Sequence, residues 1–406
     1  MEKGINRPRR QPITLPINPK DGCIPDIAYI AEVMAPVKER IRALMQSGSV
    51  AVAICGGPVI GKSKLFTPAL VHGFKSIGVI SEDDYCIGNS RSQLLHGKPD
   101  LHVPEDYDPE LLAGHIVQLK NGESVEKPVY SFATRERIGQ TRFDAADLLV
   151  VEGEFLLYPP VRDQFDIKVF IHTDDHSRFV RRIIRQRRNP KQTDLARVME
   201  YFTLTYPNYH SIIEPTAGCA DYFVDNHYHP LEGKERVAQQ NRESLFETKD
   251  GESLFASMFP HFERRRFSMQ YYSHPRHSEG EMMHITRYES GENVLQYSPG
   301  IVSIDNNGIT IPWVAFDLEE CEVDLSKIGY SPMCRITGRD ILVRRASGIA
   351  RFVQLNDGRE IIYFSESAAE ETPASFCHEK QCLLRQGEKH PALCLSFDEW
   401  VLRQRQ

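Results

Sequence analysis

Long apolar runs are missing from this chain of 406 residues, and no stretch approaches the roughly 18 apolar residues that a membrane-spanning helix needs. No 20–50-residue repeat is visible, which argues against solenoids and propellers. The nine cysteines between Cys23 and Cys394 are odd in number and irregular in spacing, so a disulfide framework is not indicated. Reduced thiols in a cytoplasmic protein are the expectation. An excess of positive charge is also lacking: 49 basic against 56 acidic side chains leave −7. Nucleic acid and anionic membrane are therefore not the expected partners, although local basic patches can still hold phosphate. The opening residues carry basic side chains with no apolar segment after them, so a secretory signal is not expected. Disorder is excluded as the general state, because 41% of residues are hydrophobic.

What is present is a change of pattern. Residues 1–28 contain five prolines and little periodicity, and read as an extended N-terminal extension. Residues 30–44 have the spacing of an amphipathic helix interrupted at Pro36. Strand-like runs follow at 49–55, 77–81, 128–132, 147–153 and 167–173, with helical stretches at 109–119, 175–188 and 192–213. The runs at 147–153 and 167–173 are almost wholly apolar, as strands covered on both faces must be. Strands alternating with helices predict an α/β domain with a parallel sheet over 29–240. After about residue 240 short β-rich runs take over, with hairpin signals at Asp305–Gly308 and Asn356–Gly358. Residues 250–406 are expected to form a mostly β second domain of unknown role.

Gly56-Gly57-Pro58-Val59-Ile60-Gly61-Lys62-Ser63 fits G-x-x-x-x-G-K-[ST] between an expected strand and an expected helix. Such a loop turns backbone N–H groups onto a phosphate, and the helix N-terminus adds positive potential. Lys62 is the candidate for the outer phosphates and Ser63 for Mg²⁺; Gly56, Gly57, Gly61 and Lys64 complete the candidate ATP cradle. Pro58, Val59 and Ile60 are bulkier than the small residues usual there. Ser81-Glu82-Asp83-Asp84-Tyr85 closes the next strand, where a carboxylate would face the loop across the sheet's C-terminal edge. Asp83 is the first candidate to orient or deprotonate an attacking hydroxyl, with Asp84 second. Arg178, Arg181, Arg182 and Arg185 are spaced i, i+3, i+4, i+7, so they share one helical face. A phosphate cluster is the natural counter-ion for such a face.

These pieces, in this order, resemble the uridine kinase/phosphoribulokinase family of P-loop kinases over about residues 49–226. The carriers are the phosphate loop, SEDDY, HVPEDYDPELLAGHIVQLKNGESVEKPVY, VVEGEFLLY, HTDDHSRFVRRIIRQRR and YPNYHSIIEPTAGCADYFV. The resemblance implies ATP- and Mg²⁺-dependent phosphorylation of a small-molecule hydroxyl. It implies Asp83 as the catalytic aspartate and Glu152 as the acidic residue near the metal. Arg178, Arg181, Arg182 and Arg185 become the lid over ATP, with Arg178 and Arg182 stabilising the transferring charge. Tyr85, His102, Tyr130 and Arg135 fall on acceptor positions. His102 stands where nucleoside kinases carry a ribose-holding aspartate, with Asp100 the alternative if the loop is shifted, and Arg135 stands where they carry a base-recognising histidine. An arginine there prefers an anionic oxygen, which points to an anionic sugar or metabolite as readily as to a nucleoside. A nucleotide-binding regulator with a degenerate kinase domain is the alternative. Self-association stays open.

The second half offers weaker signals. Glu263-Arg264-Arg265-Arg266 followed by Phe267, Tyr271 and Tyr272 reads as a phosphate-binding patch, or equally as a strand edge or a helix face. Cys377, Cys382, His390 and Cys394 lack the tight pairs of common zinc sites, so idle thiols are the better reading.

Overall fold

A computed structural model describes residues 11–17, 26–96, 103–187, 208–226, 240–277, 281–298, 303–305, 308–312, 314–318, 324–345, 348–367, 383 and 392–393. The chain divides into two compact units, residues 1–179 with 200–232, and residues 180–199 with 233–406.

The first unit is built on six strands: β1 (Ile13–Pro16), β2 (Val50–Cys55), β3 (Ile77–Ser81), β6 (Leu148–Gly153), β7 (Ile167–His172) and β8 (Tyr222–Asp225), with β4 (Val125–Ser131) and β5 (Glu136–Phe143) forming a separate hairpin. The order is β1-β8-β7-β2-β6-β3 and every neighbouring pair is parallel. Every residue of β2 and of β6 is buried, because helices cover both faces. Alternate β2 residues feed two cores, Ala51, Ala53 and Cys55 on one side and Val50, Val52 and Ile54 on the other. Within residues 1–28 the structure departs from a free extension: Ile13–Pro16 adds an edge strand beside β8.

The helical stretch expected over 30–44 is two helices, α1 (Ile27–Val33) and α2 (Ala35–Met45). The break falls at Met34, because Pro36 lacks the N–H that a continuous helix would use and sits comfortably in a first turn. The helix after the phosphate loop begins as a wide π-helical turn at Lys62–Phe66 and continues as α3 (Thr67–Val71). It is followed by α4 (Asn89–His96), α5 (Pro109–Lys120) and α6 (Asp175–Arg187). Asp108 caps α5 by accepting from Leu111 N–H at 3.2 Å.

The second unit is an antiparallel sheet of β9 (Gln240–Thr248), β10 (Glu263–Ser273), β11 (Met282–Tyr288), β12 (Asn293–Ser298), β13 (Ser303–Asp305), β14 (Gly308–Pro312), β15 (Val314–Asp317), β16 (Ser331–Arg345), β17 (Gly348–Leu355) and β18 (Glu360–Ser367), with a short strand at Ala392–Leu393 pairing β9. Both expected hairpins fall between paired strands, β13–β14 and β17–β18. One face packs Phe267, Met269, Tyr271, Ile336 and Val353; the other packs Phe246, Phe352 and Phe364 with Phe255 of α7 (Gly251–Met258). The basic run lies in β10, and its Arg265 points inward to pair with buried Asp340 at 2.7 Å. That segment is a strand whose central cation is already neutralised. Cys377, Cys382, His390 and Cys394 lie outside the described residues. Among the described residues no helix is long and apolar enough to cross a membrane.

Candidate active site

Register fixes where the site forms. Ile54, Glu152 and Ser81 lie side by side on β2, β6 and β3. The phosphate loop, Glu152 and the Glu82–Tyr85 turn therefore leave one C-terminal edge of the sheet, where open parallel sheets bind ligands.

The loop is held from several sides. Gly61 takes a left-handed φ of 95° ahead of the first helical turn. A Cβ at Gly57 would lie 2.7 Å from the Tyr209 ring, so only glycine lets that ring approach. Asn226, at the end of β8, donates to the Ile60 carbonyl at 3.0 Å. Lys62 Nζ donates to the Gly56 and Gly57 carbonyls at 2.7 and 2.9 Å, which keeps its charge folded over the loop. Val59 has φ 64°, a region that β-branched residues rarely enter.

Glu152 gathers the hydroxyls. Ser63 Oγ donates to Oε1 at 2.5 Å and Thr67 Oγ1 to Oε2 at 2.7 Å. A buried carboxylate beside two hydroxyls is a set of hard oxygen donors, the kind Mg²⁺ prefers. Thr67 was not anticipated from sequence, although its place one turn after Ser63 puts it on the same helical face. It supplies the second hydroxyl that Lys64 does not; Lys64 itself is exposed.

Arg178 is 1% exposed and its guanidinium lies 3.9 Å over the Tyr209 ring, a cation–π contact in a desolvated place. Its Nη1 donates to Asp175 at 3.4 Å, while Nε and Nη2 are buried without a protein acceptor. Because its Cζ is 3.5 Å from where a Gly57 Cβ would stand, this cation is brought to the loop. Tyr209 is fixed in turn by a 3.1 Å hydrogen bond with His172. Arg181 and Arg182 belong to the segment that groups with the second unit, and the Arg185 side chain lies outside the described residues. Arg178 thus brings one of the four arginine cations of this helix to the loop.

The turn after β3 and the β4–β5 hairpin are acidic and aromatic. Glu82 is buried and accepts from the Glu154 and Phe155 N–H groups at 2.6 and 3.0 Å. Burial outweighs those donors and pushes its carboxyl up to about 8. Asp83 follows in the turn, half-buried, its N–H donating to Ser81 Oγ at 3.3 Å. Asp84 is held by an ion pair with Lys127 and by the Tyr130 N–H at 3.4 Å, so it braces the hairpin and is the weaker candidate for a base. Tyr85 corrects an expectation: it is fully buried, its hydroxyl sharing a 2.9 Å hydrogen bond with His115, and it does not face an acceptor. An aromatic side chain after two acids fills the core beneath the turn. Tyr130 is half-buried and meets Phe132 edge-on; Arg135 is exposed at the hairpin's tip with φ 57°. His102 lies outside the described residues.

A parallel α/β sheet with a phosphate loop, a hydroxyl–carboxylate cluster and a buried arginine at one edge is the arrangement of a P-loop nucleotide-binding unit. The family model described as Phosphoribulokinase / Uridine kinase family matches residues 79–230. A uridine kinase of Clostridium novyi is 30% identical over 194 residues, 47% of this chain and 90% of that protein. A uridine kinase of Listeria monocytogenes is 30% identical over 199 residues, covering 48% and 92%. Among solved structures, a putative fructose transport system kinase from Silicibacter aligns with 48% of this chain and 98% of its own at 20% identity and a TM-score of 0.39. The chain belongs to the phosphoribulokinase/uridine kinase family.

Proposed function

We propose that the first unit transfers the γ-phosphate of ATP to a hydroxyl of a small acceptor. The observation that carries this is the register that sets the phosphate loop, Glu152 and the Asp83 turn at one sheet edge. Lys62 leaves its loop carbonyls for the outer phosphates, and Arg178 offers its unmatched N–H groups to the same charge. Ser63 and Glu152 would hold Mg²⁺, which neutralises phosphate charge when bound. Asp83 orients the hydroxyl and takes its proton. Arg135, exposed where nucleoside kinases of this family carry histidine, favours an anionic acceptor. The relatives named uridine kinase keep a nucleoside in the comparison. Tyr130 on the same hairpin supplies an aromatic face for either.

The left-handed Val59 favours a second reading, in which a strained loop binds nucleotide but turns over little. ADP release with ATP, Mg²⁺ and a panel of nucleosides, sugar phosphates and hydroxy acids separates the two. Acceptor-dependent release that Lys62→Ala abolishes, with the melting temperature kept, is expected. Nucleotide binding without release for any acceptor would leave the regulator.

A further inference from the structure

The β4–β5 hairpin pairs with no other strand among the described residues. Two strands alone are marginal in water, so side chains must anchor them. On one side Glu136 accepts from Ser90 N–H and Oγ at 2.8 and 2.5 Å, and the Arg135 carbonyl accepts from Asn89 N–H at 2.9 Å. On the other side stands Arg137 of β5. Its Nε donates to the Cys86 carbonyl at 2.7 Å and its Nη2 to the Tyr85 carbonyl at 2.5 Å. Its Nη1 reaches Asp108 at 3.3 Å, the residue that also caps α5. The two carbonyls close the turn that carries Asp83, and the same turn reaches β4 through Asp84, Lys127 and Tyr130 N–H.

We propose that Arg137 is a positioning residue: it locks the Asp83 turn to the hairpin that carries Tyr130 and Arg135, so that the acceptor and the carboxylate that activates it share one rigid frame. A planar fork suits this task, since one guanidinium meets two carbonyls and a carboxylate in fixed directions. Lysine, whose three donors all leave one nitrogen, cannot span all three contacts. The proposal rests on the reading of Asp83 as the acceptor-facing carboxylate. Its consequence is a split between substrates: losing the lock loosens acceptor geometry and leaves the phosphate loop as it was. Small misplacements of reacting groups cost about 10²-fold.

The test compares the native chain with Arg137→Ala and Arg137→Lys by hydrogen exchange and by steady-state kinetics. Faster amide exchange over residues 82–86 and 125–143 is expected in both variants. With an acceptor that the native enzyme uses, kcat/KM for that acceptor should fall about 10²-fold, while the ATP KM stays within about twofold. Unchanged exchange overturns the lock. Faster exchange with native acceptor kinetics, or equal losses toward ATP and acceptor, reduces Arg137 to a stabilising contact and overturns its positioning role. If the native chain phosphorylates nothing in the panel, the kinase reading fails on its own account, and no acceptor frame remains for Arg137 to hold.

Discussion

The two units treat buried charge in opposite ways. In the second unit Asp340 is fully covered and receives both Arg265 and Arg351, with contacts of 2.5 to 3.1 Å. The Tyr288 hydroxyl accepts from Arg265 and its ring lies under the same guanidinium. Burial opposes ionisation of Asp340, yet the two cations hold its carboxyl below the usual range. In the first unit Arg178 is as deeply buried, and among the described residues it meets a long contact to Asp175 and an aromatic face. Lys62 rests on two backbone carbonyls. A cluster that closes on itself contributes a defined core; cations left short of anions have capacity for a ligand. That difference is what favours the first unit as the seat of the proposed reaction.

The largest expected effect tests the open side. Asp83→Asn keeps shape and removes the carboxylate proposed to take the proton, so kcat should fall about 10²–10⁴-fold with ATP affinity near native. A drop in ATP affinity with kcat intact would make Asp83 a metal ligand and move the base elsewhere.

The closed side should answer in stability. Asp340→Asn leaves Arg265 and Arg351 buried without their shared anion. Breaking such a pair costs about 3–5 kcal/mol, to be read by urea denaturation. A loss under about 1 kcal/mol would mean that the two cations reach water or another anion. The contrast between the units would then be weaker than the geometry suggests.

Much of the parallel sheet was legible because its strands are short apolar runs between turn signals, and 49–55, 77–81, 147–153 and 167–173 fall within a residue or two of β2, β3, β6 and β7. Lys62 stood out by motif spacing, and Glu152 through the family resemblance. Tyr85 was misread because two acids in sequence hide that the next residue turns inward. Arg137, Tyr209 and Asn226 were missed for one reason: each acts on a loop distant in sequence, and no local periodicity encodes such contacts. In the second unit alternation announced strands, but Arg265 with Asp340 is a pairing across 75 residues that composition cannot reveal.

The smallest expected effect sits inside the open site and asks whether its loop is strained. Val59 holds φ 64° while only half-buried, so little packing offsets the steric cost of a β-branched residue there. Such conformations cost about 1–3 kcal/mol. Glycine enters this region freely but loses about 0.5–1 kcal/mol through unfolded-state entropy. Val59→Gly should therefore stabilise the folded chain by about 1 kcal/mol, visible as a melting temperature raised by a few degrees. Nucleotide decides what the strain is for. A gain that is equal with and without ATP means that the loop keeps one shape, and ATP affinity should then be unchanged. A gain confined to the free protein means that ATP relieves the strain, and the variant should bind ATP more weakly than the native chain. A destabilised variant would show that Val59 packs better than its exposure indicates, and the strained-loop argument for a slow enzyme would go with it.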